Sequence, residues 1–186
     1  MGLSYASIPK LSELPSARSF RQMVVFMHGL GDTGSSWAPF FEHYHKEHPD
    51  TLFIFPDAPI QPVTLNGGMR MPSWYDIVHL DPVEPIEDRK GFESSSIAIA
   101  SLIETLSKRF PSNQLVVGGF SQGGAVSLYA SLKSHIKPSA LIILSSYLPF
   151  AKSDFSPAAM NSESPQIRLD VPVFWGHGTA DFLIPI

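Results

Sequence analysis

The chain has 186 residues, 44% of them hydrophobic, and a net charge of −4 from 13 Lys plus Arg against 17 Asp plus Glu. At about 150 residues per domain this is one domain with material for a sizeable core, and without a basic run able to follow a phosphate backbone it is not a nucleic-acid binder. Unbroken apolar runs such as Met23 to Met27 fall far short of the roughly 18 residues that span a bilayer, and zero cysteines exclude a disulfide framework, a thiolate metal site and a cysteine nucleophile.

Residues 1–21 read as an N-terminal lead-in and 22–186 as the domain. The lead-in lacks the apolar centre of a signal peptide, and Ala6 stands where a myristoylation pattern needs Ser or Thr. The expectation is a soluble protein with no stable membrane insertion, placed in the cytoplasm, with the nucleus as a second location.

Five short apolar runs rich in β-branched and aromatic residues, at 22–28, 51–56, 114–119, 140–146 and 171–176, read as buried strands. Between the first two, Trp37, Phe40, Phe41 and Tyr44 predict a helix stopped near Pro49. His43, His45, Glu47 and His48 crowd its end without a metal-ligating spacing, so they read as a solvated helix terminus. The stretch 57–92 breaks the rhythm. It is rich in Pro and Gly yet carries Leu65, Met69, Met71, Trp74 and Tyr75, an apolar load that fits either a loop pinned to its own core or an apolar substrate wall.

Ile99, Leu102, Ile103, Leu106 and Phe110 form a helical stripe behind a Ser94 to Ser96 cap region, and a third helix runs from after Ser121 through Leu132. Strands alternating with helices predict an α/β fold with a mostly parallel sheet and helices on both faces.

The strongest chemical signal is Gly119-Phe120-Ser121-Gln122-Gly123, between a predicted strand and a predicted helix. A serine in that turn is lifted clear of the sheet, and the flanking glycines let strand and helix backbones approach. The Gln122 N–H at the helix N-terminus would point where an oxyanion develops, and the Leu30 N–H, after the first strand, is the second candidate donor. A rival reading takes Gly29-Leu30-Gly31-Asp32-Thr33-Gly34, with Asp57 about 20 residues later, as a dinucleotide-binding fingerprint. That reading leaves the serine turn unexplained. His177-Gly178-Thr179-Ala180-Asp181 ends the last strand run, 60 residues after Ser121, and makes Asp181 the candidate acid that orients a histidine.

The segments FMHGLGDTGSSW, GGFSQGGAVSLY and HGTADFLIP, with PVTLNGGMRMPSWYDI at 62–77 and SSYLPF at 145–150, resemble the acyl-protein thioesterase and cytosolic carboxylesterase (lysophospholipase) family of α/β-hydrolases. The resemblance implies Ser121 as nucleophile, Asp181 as acid, Leu30 and Gln122 as oxyanion donors, and the 63–77 region, with Leu65, Met71 and Trp74, as an apolar acyl-chain wall. It implies cleavage of long-chain acyl thioesters and esters, on S-acylated proteins or acyl-ester lipids, without a metal or organic cofactor. It also implies a base histidine after the acid. All seven histidines, His28, His43, His45, His48, His79, His135 and His177, precede Asp181, so the expectation is a C-terminally truncated member lacking the last strand and helix. Within that expectation His28 and His177 read as structural histidines at strand ends, and a non-catalytic acyl-chain or protein-binding isoform is the alternative.

Overall fold

The computed structural model describes residues 3–14, 18–79, 88–110, 112–133, 137–154 and 170–184. Among the described residues there are eight strands: β1 Tyr5–Ile8, β2 Phe20–Met27, β3 Thr51–Pro56, β4 Ile60–Val63, β5 Met69–Pro72, β6 Ser112–Phe120, β7 Ala140–Leu144 and β8 Val173–Gly176. The helices are α1 Gly34–Glu47, α2 Arg89–Arg109, α3 Gln122–Lys133 and the single turn α4 Ala151–Asp154.

Six strands form the main sheet in the order β1-β3-β2-β6-β7-β8, and β4 and β5 form a separate antiparallel hairpin. β1 runs antiparallel to β3, with Tyr5 opposite Pro56 and Ile8 opposite Phe53; the other neighbours in the main sheet are parallel. The 1–21 segment is therefore more than a lead-in, since it supplies an edge strand and the buried Leu11.

The period of two along each strand sorts side chains onto two faces. Val24, Phe26, Phe53, Phe55 and Val116 pack under α1, against Trp37 and Phe41. Met23, Val25, Met27, Leu52, Ile54, Val117, Leu141 and Ile143 face the other way, with Phe92, Ile99, Leu102, Ile103 and Leu106 of α2 and Ala125, Val126, Leu128 and Tyr129 of α3. Helices therefore cover both faces, as the alternating pattern predicts. α2 begins earlier than the Ser94 to Ser96 cap region: Asp88 is the cap, its carboxylate accepting the Gly91 N–H at 3.0 Å. Ser95 and Ser96 lie inside the helix, buried, and donate to the carbonyls of Trp74 and Phe92.

From β2 the chain crosses through α1 to β3, on one side, while β6 pairs with β2 on the other side and leads on to β7. Strand order thus reverses between β2 and β6, and in open α/β sheets the crevice at the carboxyl ends of two such strands is where ligands bind. The loop holding Leu30 follows β2, and Ser121 follows β6.

Candidate active site

Ser121 occupies the turn between β6 and α3 with φ +52°, a left-handed conformation that costs a non-glycine residue about 1–3 kcal/mol. The turn is held from both ends. The Ser121 N–H donates to Leu144 O at 2.9 Å, while its carbonyl accepts from Gly124 and Ala125 N–H and from Ser146 Oγ, the last at 2.7 Å. The flanking glycines are required sterically: a Cβ at Gly119 would lie 2.5 Å from Gly123 O and 2.7 Å from Met27 O.

The loop after β2 closes against this turn, a Cβ at Gly29 falling 3.5 Å from Ser121 Cβ. His28 sets the loop's shape. Its Nε2 accepts the Ala58 N–H at 3.0 Å, so the proton resides on Nδ1, which donates to Gly29 O at 2.7 Å. The Asp32 N–H reaches the same carbonyl at 3.3 Å. Because C=O and N–H of a trans peptide point in opposite directions, anchoring Gly29 O fixes where the Leu30 N–H points. The same logic applies to Ser121 O and the Gln122 N–H. Neither the Leu30 nor the Gln122 N–H has a hydrogen-bond partner among the described residues, which leaves two oriented donors beside Ser121. Burial, partly offset by the Gly29 carbonyl, lowers the His28 imidazole from its ordinary value, so it stays neutral and both nitrogens are committed.

The Gln122 side chain is buried and contacts the other wall of the crevice. Its Oε1 accepts the Trp74 N–H at 2.8 Å, and its Nε2 donates to Tyr75 O at 2.7 Å and Ser73 Oγ at 3.0 Å. The Trp74 indole N–H donates to His28 O at 2.9 Å, and Gly31 N–H donates to Pro72 O at 2.8 Å. Nothing in the sequence signals this network, because its partners lie in a region without regular periodicity.

Asp181 stands beyond the end of β8. Its Oδ1 accepts the Leu183 N–H at 3.0 Å and the Ile184 N–H at 2.9 Å. The Ile184 N–H foremost lowers its pKa and keeps it ionised. The remaining oxygen faces His177 Nε2 at 3.4 Å, and that nitrogen is also 2.7 Å from Ile184 O. The structure therefore brings Leu30 and Gln122 to Ser121, and pairs Asp181 with His177 instead. His28 and His177 both spend their hydrogen bonds away from the Ser121 hydroxyl, and His135 lies outside the described residues.

The apolar load of 57–92 divides in two. Trp74 is 1% exposed, its indole bonded to His28 O, so it belongs to the core and not to an open wall. Leu65 is 40% exposed on the hairpin, and Met71 is half-buried with its sulfur 3.8 Å from where a Gly31 Cβ would be. Met71 thus borders the loop that holds Leu30, while Leu65 lies on the exposed surface of the hairpin. The dinucleotide reading meets a specific obstacle, because Asp57 Oδ1 already accepts the Gly34 N–H at 2.8 Å, occupying the helix N-terminus a pyrophosphate would need. At the end of α1, His43 lies 3.4 Å from Glu47 and His45 bonds Thr51 O.

A phospholipase/carboxylesterase family profile matches residues 14–186. The chain is 40% identical over 161 residues to acyl-protein thioesterase 1 of Cryptococcus neoformans, an alignment covering 85% of this chain and 65% of the relative. It is 41% identical over 174 residues to the protein of the same name from Yarrowia lipolytica, covering 92% and 74%. Among solved structures, acyl-protein thioesterase 2 of Zea mays superposes with a TM-score of 0.75 at 28% identity, covering 100% of this chain and 79% of that one. Arabidopsis thaliana SOBER1 gives 0.74 at 27%, covering 91% and 78%. The chain thus spans just under two thirds of the Cryptococcus relative's length.

Proposed function

The chain belongs to the phospholipase/carboxylesterase family, and from that premise we propose that it is a serine hydrolase cleaving long-chain acyl thioesters and esters through an acyl-enzyme on Ser121. The observation that carries the reading is the left-handed Ser121 turn beside two backbone N–H groups, from Leu30 and Gln122, without a partner among the described residues. Ser121 Oγ attacks the acyl carbonyl, and the two N–H groups take up the oxyanion in a site where donors are already oriented. Expulsion of the thiolate or alkoxide leaves the acyl group on Ser121, and water completes the cycle. Asp181, ionised and held by two backbone N–H groups, would orient the base histidine that takes the Ser121 proton; by the acid-then-base order the resemblance implies, that histidine would follow Asp181, and residues 182–186 hold none.

The substrates are S-acylated proteins or acyl-ester lipids, met in the cytoplasm, with the nucleus as a second location. No helix among the described residues is long and apolar enough to cross a membrane. Leu65 and Met71 are the residues that would contact the acyl chain. Because His28 and His177 are both committed elsewhere, the alternative of a non-catalytic acyl-chain or protein-binding form has a specific footing in the 186-residue chain.

One experiment separates the two readings: hydrolysis of palmitoyl and acetyl thioesters by this chain and by one extended C-terminally with a histidine-bearing segment, the latter as wild type, Ser121→Ala and Leu65→Asp. Ser121-dependent turnover is expected in the extended chain and turnover near background in the 186 residues alone. Leu65→Asp should lower kcat/KM for the palmitoyl substrate about 10- to 30-fold relative to the acetyl one, the equivalent of losing roughly two buried methylenes. Palmitate binding without turnover supports the non-catalytic form, and turnover that survives Ser121→Ala removes the nucleophile assignment.

A further inference from the structure

The two backbone donors beside Ser121 belong to loops far apart in sequence, and one residue bridges them. Trp74 gives its backbone N–H to Gln122 Oε1 at 2.8 Å and its indole N–H to His28 O at 2.9 Å. Gln122 grips the same turn twice more, through Tyr75 O and Ser73 Oγ. Ser95, from α2, donates to the Trp74 carbonyl, so the bridge is tied to the core as well.

The amide orientation of Gln122 is dictated by its neighbours, since Oε1 faces an N–H and Nε2 faces a carbonyl. Its side chain is 2% exposed, so no water replaces these bonds readily. An aliphatic side chain of equal length would strand a donor at Trp74 and weaken the tie on Tyr75 O.

We infer that the Gln122 side chain is a positioning residue: through Trp74 it fixes the spacing between the Leu30 and Gln122 N–H groups, and so tunes the oxyanion site that its own backbone helps to form. The inference rests on the serine-hydrolase reading and adds a role that the backbone donor alone does not have. It makes the turn at 73–75 part of the catalytic geometry through its hydrogen bonds to Gln122 and His28. Removal of one whole oxyanion donor in a comparable hydrolase lowers kcat by about 10²- to 10³-fold. A donor displaced but not removed should lose less, about 10- to 100-fold, and the loss should fall on kcat while KM stays within about threefold.

The test compares, in the chain extended with the histidine-bearing segment, the wild type with Gln122→Met, Trp74→Phe, the double variant, Gln122→Glu and Ser121→Ala, using acetyl and palmitoyl thioesters together with hydrogen exchange over 28–31 and 72–76. Gln122→Met should speed exchange in both segments and lower kcat equally for the two acyl lengths. Because both single variants cut one bridge, the double variant should lose no more than the worse single. Gln122→Glu supplies a readout that a purely structural role would not move. Protonation gives its buried carboxyl back a donor for Tyr75 O, so its kcat relative to the wild type should rise as pH falls. If Gln122→Met folds, exchanges faster and keeps wild-type kcat, or if the losses in the double variant multiply, the inference is overturned and the serine-hydrolase reading stands. If Ser121→Ala turns over like the wild type, or the wild type shows no turnover, the functional reading fails and takes the inference with it.

Discussion

Replacing Gly123 by alanine adds one methyl group where α3, β2 and the Leu30 loop meet. The new Cβ would lie 2.5 Å from His28 O and 2.6 Å from Met27 C, where real Cβ atoms stay beyond about 3.0 Å. Both neighbours are backbone, so no side-chain rotation relieves the overlap, and α3 must retreat by at least about half an ångström. Gly123 is the second residue of α3, so alanine gains at most about 1 kcal/mol over glycine there, while forced overpacking costs about 1–3 kcal/mol. The net is a loss of up to about 2 kcal/mol, which at about 2–4 °C per kcal/mol lowers Tm by a few degrees. The chemical effect is larger than the stability effect. The shift drives Gln122, adjacent to Gly123, away from His28, adjacent to the Leu30 loop, and displacements near 1 Å cost about 10²-fold in rate. Half of that should reduce kcat about tenfold. Thermal unfolding and thioester hydrolysis measure the two effects, with Gly178→Ala as control because nothing lies within 4 Å of a Cβ there. Unchanged Tm and unchanged kcat in Gly123→Ala would refute the packing argument.

Trp74→Asp should abolish the fold instead of shifting chain-length preference, since the indole is enclosed; Trp74→Phe should cost about 1 kcal/mol in urea unfolding for the lost bond to His28 O. The His28 pKa is lowered on folding, so the native state binds fewer protons than the unfolded state below the ordinary value near 6.5. Stability is full above that pH and falls as pH drops toward the folded value, and His28→Asn should flatten the slope below about pH 6.5. Asp154 bonds Arg89 in bidentate fashion at 2.8 and 3.0 Å and Lys133 at 3.0 Å, and the Arg89 guanidinium holds its carboxyl well below the usual carboxylate range. Its contribution is therefore full above about pH 4 and lost progressively as the pH falls from there toward the folded value, and Asp154→Asn should cost about 1–2 kcal/mol at neutral pH, discounted because Arg89 is partly exposed.

The parallel sheet was legible because its central strands are continuous apolar runs, a pattern that needs both faces covered. Ser121 was legible because the strand, the two glycines and the helix pattern are contiguous. β1 escaped because Tyr5–Ile8 is four half-buried residues, with neither the length nor the alternation that marks a strand. The start of α2 escaped because Ser94 to Ser96 offered a plausible cap, whereas Asp88 was hidden in a stretch dominated by Pro and charge. Trp74 reads as a wall residue when only its hydrophobicity is considered; its indole N–H needs a buried acceptor, which only the folded chain supplies, at His28 O. The Gln122 side chain was invisible for the same reason, as local sequence says nothing of a partner 47 residues away at Tyr75.

Whether Ser121 carries the acyl group is read most directly by rapid quench of the chain extended with the histidine-bearing segment against a palmitoyl thioester, followed by mass spectrometry of the peptide containing Ser121. A palmitoyl adduct should form on Ser121 faster than free palmitate appears and be absent in Ser121→Ala. An adduct on another residue, or free palmitate released at the wild-type rate by Ser121→Ala, would show that Ser121 is not the nucleophile.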